Sequence, residues 1–190
     1  GDVFAVMSNV PQWRGNTGTN GPMNRAGVWI DSDCNGTKDP LLPGQQVTLA
    51  FAYNNVGATR VVYVGIGADN QFKLTVNGVI VANAVGGYDS YFKIWHLIPV
   101  TIQNGTNYFN VVATGDGSVN DSVGMIIYDN TALQLQSAVD DTTLTILFST
   151  GSLIGQLIDI VTCAPGWSLD TSGGPGAYLC KRTLITPPIP

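Results

Sequence analysis

Residues 72–81 read Phe-Lys-Leu-Thr-Val-Asn-Gly-Val-Ile-Val, and this stretch carries the strongest local signal of secondary structure in the chain. The Asn-Gly pair at its centre separates two runs of strand-forming residues, and Asn-Gly is a preferred dipeptide of the two-residue type I′ turn. The predicted register places Val76 opposite Val79 and Leu74 opposite Val81. The buried face of this predicted β-hairpin would then carry five side chains: Phe72, Leu74, Val76, Val79 and Val81.

Similar patterns predict strands on both sides of the hairpin. Residues 47–53 alternate between apolar and small or polar side chains, which is typical of a strand with one buried face. Residues 60–66 are apolar on both faces and rich in β-branched side chains, which predicts a central strand covered on both sides. The other predicted strands are 3–7, 91–94, 97–102, 107–113, 123–128, 143–148 and 152–161, the last of which could also be a short helix.

Many short strands separated by Gly, Asn, Asp and Ser predict an all-β fold, an antiparallel β-sandwich or jelly roll. The chain divides into an extended N-terminal arm over 1–27, the β-sandwich over 28–161, and a Cys-bracketed loop with a Pro-rich tail over 162–190. Both ends are rich in Gly and Pro yet carry spaced apolar residues. We therefore expect residues 1–27 and 181–190 to bind another chain rather than to pack on themselves.

The composition excludes several classes of protein. Charged residues make up 11% of the chain, against roughly 25% in an average globular protein, while 44% of residues are hydrophobic. The net charge is −5 and the eight Lys and Arg residues are scattered, so no nucleic acid is expected as a partner. No apolar run approaches the roughly 20 residues of a membrane span.

The three cysteines leave two alternatives open. Cys163 and Cys180 bracket a Gly- and Pro-rich loop, and they could close it as a disulfide in an oxidising compartment. They could equally remain two thiols. Cys34 is left without a partner in either case.

The order of several segments resembles the galactose-binding-like β-sandwich family. Residues 65–78 are similar to its A-D-x-x-F-x-x-x-V-N-G hairpin, and residues 99–107 to its element of a proline, a strand and x-x-G-x-N. Residues 110–117 and 124–130 resemble its closing N-x-V-x-A-x-N-x-G and G-x-x-x-x-x-Y-D-N motifs. The resemblance spans residues 46–131 and departs from the family at position 115–116, where Gly-Asp replaces an Asn-rich pair.

This resemblance implies a non-catalytic structural or attachment domain on a virion or on an extracellular or cell surface. Such domains occur in bacteriophage tail and fibre proteins and in adhesins, and residues 163–170 also resemble phage and adhesin surface proteins. The implied partners are other subunits of the assembly, including copies of the chain itself, and host glycans. The alternative is a carbohydrate-binding module attached to a secreted glycoside-active enzyme.

The chain is not expected to be an enzyme, and no catalytic residue is assigned. All thirteen acidic residues are Asp, and most lie in turns, where Asp normally bonds its own backbone. Paired carboxylates for glycoside chemistry are therefore disfavoured. His96 is the single histidine, and no G-x-S-x-G motif accompanies it. We expect His96 to be a strand residue whose ring is hydrogen-bonded.

A calcium site is predicted in Asp31-Ser-Asp-Cys-Asn-Gly-Thr-Lys-Asp39. The oxygen ligands would come from Asp31, Asp33, Asn35 and Asp39, which match positions 1, 3, 5 and 9 of a calcium loop with Gly at position 6. Position 12 is Leu42 rather than the usual bidentate Glu. The alternative is a polar β-turn that binds no metal.

Glycan binding would need an aromatic platform beside carboxylate or amide groups that bond neighbouring hydroxyls. Aromatic residues at strand positions are more often part of the core, which is the alternative for each aromatic candidate. The candidate glycan-binding residues are Trp13, Asp69, Asn70, Tyr88, Tyr91 and Trp95.

Overall fold

The computed structural model describes residues 22–28, 45–69, 71–84, 95–114, 122–138, 141–153, 160–163, 166–170, 172 and 179–182. The strands in chain order are β1 Gln45–Asn55, β2 Arg60–Asp69, β3 Gln71–Val76, β4 Val79–Ala84, β5 His96–Ile102, β6 Gly105–Thr114, β7 Ser122–Tyr128, β8 Ile146–Ser149, β9 Ile160–Cys163, β10 Trp167–Asp170 and β11 Leu179–Arg182. The short helices are α1 Pro22–Ala26, α2 Ala132–Ser137 and a 3₁₀ turn over Thr150–Leu153. None of the helices in the described ranges is long and apolar enough to cross a membrane.

The strands form antiparallel sheets, which confirms the predicted all-β sandwich. The larger sheet has the strand order β4-β3-β6-β1-β9, and the smaller has the order β5-β2-β7-β8. β10 and β11 form a separate two-stranded ladder. β2 lies between β5 and β7, which confirms the predicted central strand. Its side chains are apolar on both faces because both faces of the smaller sheet are covered.

The main core lies between the two sheets and follows the predicted alternation. On β1, Val47 and Leu49 are buried, and Phe51 and Tyr53 pack against the core with part of their surface exposed. Phe51 stacks on Phe148 of β8, with the ring centroids 4.4 Å apart. The same alternation supplies the other large core side chains, including Phe72, Leu74, Ile66, Ile98, Ile102, Phe109, Met125 and Ile127.

The Asn-Gly hairpin is confirmed, with one correction to its register. Asn77 has φ 48° and Gly78 has φ 81°, as a type I′ turn requires at both central residues. Val76 pairs with Val79, but a bulge shifts the ladder so that Leu74 faces Ala82 instead of Val81. Val79 is exposed at the hairpin tip although its partner Val76 is buried, so the predicted place of Val79 on the buried face is wrong.

Helix α2 was not predicted, because six residues are too few to show a helical period. Its local signal is a capping box, which Thr131 and Gln134 form by exchanging side-chain and backbone hydrogen bonds. Leu135 is buried beneath the helix. The helix therefore presents one apolar residue to the sheet and leaves its amides at the surface.

A second apolar cluster covers the outer face of the smaller sheet. It holds a short buried polar network, in which the hydroxyl of Tyr128 donates to Asp141 at 2.9 Å and Arg25 forms an ion pair with the same carboxylate. Burial raises the pKa of Tyr128 well above 10, with Asp141 contributing further, so the hydroxyl stays protonated as a donor. The apolar members are Ala26, Trp95, Leu97, Ile126, Leu135 and Ala138.

Helix α1 lies within the segment predicted as an arm, and it packs on the chain's own sheet. Ala26 is fully buried, and a Cβ on Gly124 of β7 would lie only 2.9 Å from the Ala26 carbonyl carbon. Val28 then pairs with Val123 through two backbone hydrogen bonds, of 2.8 and 3.1 Å. Residues 22–28 thus contact the chain's own core, and the expected contact of residues 1–27 with another chain stays a prediction.

Cys163 and Cys180 form a disulfide, which decides between the two alternatives left open by the sequence. The bond joins β9, at the edge of the larger sheet, to β11 of the two-stranded ladder. The two cysteines are 17 residues apart, and closing a loop of about that size stabilises a fold by roughly 3 kcal/mol. Disulfides of this kind are typical of proteins in oxidising compartments.

Two predicted strands differ in extent from the observed ones. The strand predicted over 143–148 begins later, at Ile146, because residues 141–145 form a turn whose Thr145 carbonyl accepts from the Asp129 amide at 2.9 Å. The strand predicted over 152–161 contains part of the 3₁₀ turn at its start and part of β9 at its end. Residues 3–7 and 91–94, also predicted as strands, lie outside the described residues.

Candidate functional site

One end of the sandwich gathers the chain segments that carry the predicted binding residues. We call it the loop end, defined as the end where β2 stops and β3, β5 and β7 begin. There Asp69 pairs with Ser122, and Gln71 pairs with Thr114. Gln46, near the start of β1, also pairs with Thr114, which brings the larger sheet to the same end.

Four segments of the chain lie outside the described residues, and the described residues on both sides of each segment are at this loop end. They are residue 70, between β2 and β3; residues 85–94, between β4 and Trp95; residues 115–121, between β6 and β7; and residues 29–44, between Val28 and β1. Asn70, Tyr88 and Tyr91 lie in the first two, and the four predicted calcium ligands lie in the last. The antiparallel topology therefore brings together the ends of segments that are far apart in sequence.

The structure places the individual glycan candidates as follows. Asp69 is the last residue of β2, and its backbone position is at the loop end. Asn70, Tyr88, Tyr91 and Trp13 are outside the described residues, as are Asp31, Asp33, Asn35 and Asp39. Within the ranges that are described, no group of three His, Cys, Asp or Glu side chains could hold a metal ion.

Trp95 is a core residue, which is the alternative that the sequence left open for each aromatic candidate. Its exposed fraction is 0%, and its indole nitrogen donates to the Tyr128 hydroxyl at 3.3 Å. The ring lies against Gly65, where a Cβ atom would come within 2.7 Å of both Trp95 and Tyr128. A ring buried in this way offers no face on which a sugar could stack, so Trp95 is excluded from the proposed glycan contacts.

His96 has the hydrogen-bonded, structural environment that the sequence predicts. Its side chain is buried, and Nδ1 lies 3.3 Å from the carbonyl oxygen of Ile66. The ring also contacts the edge of Phe72, with the centroids 5.3 Å apart. Burial lowers the pKa of His96, which favours the neutral ring at neutral pH.

The opposite end of the sandwich, which we call the turn end, is held by buried asparagines. Asn55 donates to the carbonyl oxygens of Gly57, Ala58 and Gln103, at 3.1 to 3.2 Å. Asn107 bonds both the amide and the carbonyl of Gln103, each at 2.9 Å. These bonds tie the turns together and satisfy backbone groups that would otherwise be left unpaired.

The outer face of the larger sheet carries an exposed aromatic residue that the sequence analysis did not single out. Tyr108 is 64% exposed, and it lies opposite Ala52 in the ladder between β1 and β6. Its backbone is held by Asn77, whose amide donates to the Tyr108 carbonyl at 2.8 Å. The sequence signal that could have identified it is the apolar alternation of Phe109, Val111 and Ala113, which places Tyr108 on the opposite face of the strand.

No protein-family model and no curated protein matches the chain. A solved lectin from Pleurotus ostreatus in complex with GalNAc is 13% identical with a TM-score of 0.44, and the match covers 73% of this chain and 34% of the lectin chain. The apo form of Pleurotus ostreatus lectin is 12% identical with a TM-score of 0.41, and the match covers 80% and 42% of the two chains.

This chain therefore spans less than half the length of either lectin chain.

Proposed function

We propose that this chain is a non-catalytic attachment domain on a virion or cell surface, and that its loop end binds host glycans. The observation that carries the proposal is the convergence at the loop end of strand ends that flank Asn70, Tyr88 and Tyr91, with Asp69 at the end of β2. Binding residues are commonly carried by loops that a rigid scaffold positions. The two packed sheets provide such a scaffold.

The setting of the domain is part of the same proposal. A phage tail, fibre or head decoration, or an adhesin, is the assembly that the resemblance implies, and the disulfide suits an extracellular location. Residues 1–21 and 183–190 are proposed to contact neighbouring subunits, including copies of this chain. An interface above about 1,000 Å² would be typical of a specific contact.

The glycan proposal is tested on a glycan array with two variants of Tyr88. Tyr88→Ala is expected to weaken binding about tenfold, because an aromatic contact contributes roughly 0.5–1.5 kcal/mol beyond its buried area. Tyr88→Phe is the matched control, since it keeps the ring, and it should bind nearly as the unmodified chain does. Absence of binding to any glycan, or equal binding by Tyr88→Ala, would contradict a glycan site at the loop end.

Calcium is proposed as a structural ion of the loop between Val28 and β1. If Asp31, Asp33, Asn35 and Asp39 bind it, calcium should raise the melting temperature, because a ligand that binds the folded state stabilises it by mass action. Asp33→Ala should abolish this rise. Asp170→Ala, which removes an aspartate outside the loop, should preserve it. A melting temperature unaffected by calcium and by chelator would instead favour a plain polar turn.

The second candidate function is a carbohydrate-binding module accessory to an enzyme, and Tyr108 is the observation that favours it. An exposed ring beside the small side chains of Ala50 and Ala52 leaves room for a sugar ring to lie on the sheet. Both functions predict glycan binding, but through different residues. On the same array, loss of binding in Tyr108→Ala with retention in Tyr88→Ala would favour this alternative.

A further inference from the structure

A cleft of about 350 Å³ opens on the outer face of the smaller sheet, at the turn end. Val61 and Tyr63 of β2 line one side, and residues 129–132 with Gln134 line the other. A second hollow of about 300 Å³ adjoins it, sharing Asn130 and Gln134. Both volumes are near the lower limit of the range of about 300–1,000 Å³ that is usual for small-molecule sites.

The charged groups at the cleft neutralise each other. Asp129 accepts two hydrogen bonds from Arg60, from Nε at 3.1 Å and from Nη2 at 2.9 Å. Arg60 is held in turn by the side chain of Asn55, at 2.7 Å from Nη1. The carboxylate is thus fixed in place without a net local charge, so the cleft suits a neutral polar ligand better than an ion.

The same side of the cleft presents the amide of Gln134, whose nitrogen is not used as a donor by any residue that the structure describes. The Oε1 atom of Gln134 accepts from the Thr131 amide at 3.0 Å and from Asn130 Nδ2 at 3.3 Å. These bonds fix the plane of the amide group. Its Nε2 has no hydrogen-bond partner among the residues that the structure describes, and it can donate to a ligand in the cleft.

The remaining side of the cleft is apolar and partly aromatic. Val61 is 55% exposed and lines the cleft with its apolar side chain. Tyr63 is half-buried, packs against the second apolar cluster, and has a hydroxyl with no partner within the described ranges. The C–H face of a pyranose can pack on such a surface, while its hydroxyls reach the amide and the carboxylate.

We infer that this cleft is a second binding site, which takes a neutral saccharide or a similar polyhydroxyl ligand. Its pattern of a fixed acceptor in Asp129, a free donor in Gln134 and an apolar wall matches neighbouring hydroxyls on one side of a sugar and C–H groups on the other. The site is at the turn end, where β7 finishes, whereas the proposed glycan site is at the loop end, where β7 begins. The inference uses none of the loop residues and stands apart from the proposed function.

The test is an NMR titration of the ¹⁵N-labelled full chain with the methyl glycosides of galactose, glucose, mannose and N-acetylglucosamine. At least one should shift the backbone amides of residues 61–63 and 129–134 in a saturable way. Gln134→Glu should weaken that binding at least about fivefold, since it removes one donor. The same change keeps the capping box, because Glu can replace Gln at this position.

Gln136→Glu is the matched control, since it makes the same change on an exposed residue of α2 that does not line the cleft. It should leave the affinity of the cleft and the melting temperature unchanged. Failure of all four glycosides to shift these amides would overturn the inference, and so would equal binding by Gln134→Glu and Gln136→Glu. Because Tyr88→Ala is scored separately, a failure here is distinguishable from a failure of the glycan site at the loop end.

Discussion

Replacing Asn107 with Ala is expected to lower the free energy of unfolding by about 3 kcal/mol. Asn107 is 0% exposed, and its side chain makes four hydrogen bonds. It accepts from the Gln103 amide and from Asn77, each at 2.9 Å, and it donates to the carbonyls of Gln103 and Gly105 at 2.9 and 3.0 Å. Alanine would leave these groups to find water at a partly buried position, and it would also leave a small cavity.

Urea unfolding of Asn107→Ala measures this loss, with Asn110→Ala as the matched control. Asn110 lies on the same strand with its side chain exposed, and the same substitution there should change stability by less than about 0.5 kcal/mol. A loss below about 1 kcal/mol in Asn107→Ala would show that water replaces the four bonds without cost. The turn between β5 and β6 would then not depend on Asn107.

Asn107 also shows which parts of the fold could be predicted from the sequence. It belongs to the Gln-Asn-Gly-Thr-Asn stretch that ends the resembling x-x-G-x-N element, and all its bonds but the one to Asn77 are within four residues. Turn chemistry of this kind is local, as is the Asn-Gly hairpin. Strand existence and the position of the tight turns were therefore predicted well.

Register and short helices were harder to predict, because they depend on more than local sequence. The bulge that displaces Val81 from its expected pairing has no local signature, since Val79, Ile80 and Val81 are all good strand formers. The six residues of α2 are too few for a periodicity, although Thr131 and Gln134 do form a capping-box pattern. Tertiary packing decides both features.

The residues of the candidate sites could be named from the sequence only in part, and their arrangement depends on the fold. Composition and resemblance could name loop residues such as Tyr88 and Asn70, but only the strand topology shows that their flanking strands end together. The cleft at the turn end was not predicted, because Arg60 and Asp129 are 69 residues apart. Trp95 was named as a binding residue because the aromatic-rich stretch over 91–96 gives no sign of the Gly65 surface against which the indole ring packs.

The buried polar network beneath α2 joins residues that are even farther apart in sequence. Arg25 and Asp141 are 116 residues apart, yet their ion pair joins α1 to the turn that follows α2. Asp141 is 2% exposed and also accepts from Tyr128, whose hydroxyl in turn accepts from Trp95. The network therefore connects the N-terminal helix, the smaller sheet and the turn over 141–145.

Removing the carboxylate in Asp141→Ala is expected to cost about 3 kcal/mol of unfolding free energy, because the Tyr128 hydroxyl loses its buried acceptor and Arg25 loses its counter-charge. Asp170→Ala is the matched control, since it removes a half-buried carboxylate whose partner Lys181 is exposed, and it should lower the melting temperature less than Asp141→Ala does. Combining Asp141→Ala with Tyr128→Phe should cost at least about 1 kcal/mol less than the sum of the single changes, because the two groups share one hydrogen bond. Strict additivity, or a loss in Asp141→Ala no larger than in Asp170→Ala, would show that the network contributes nothing to holding α1 on the sheet.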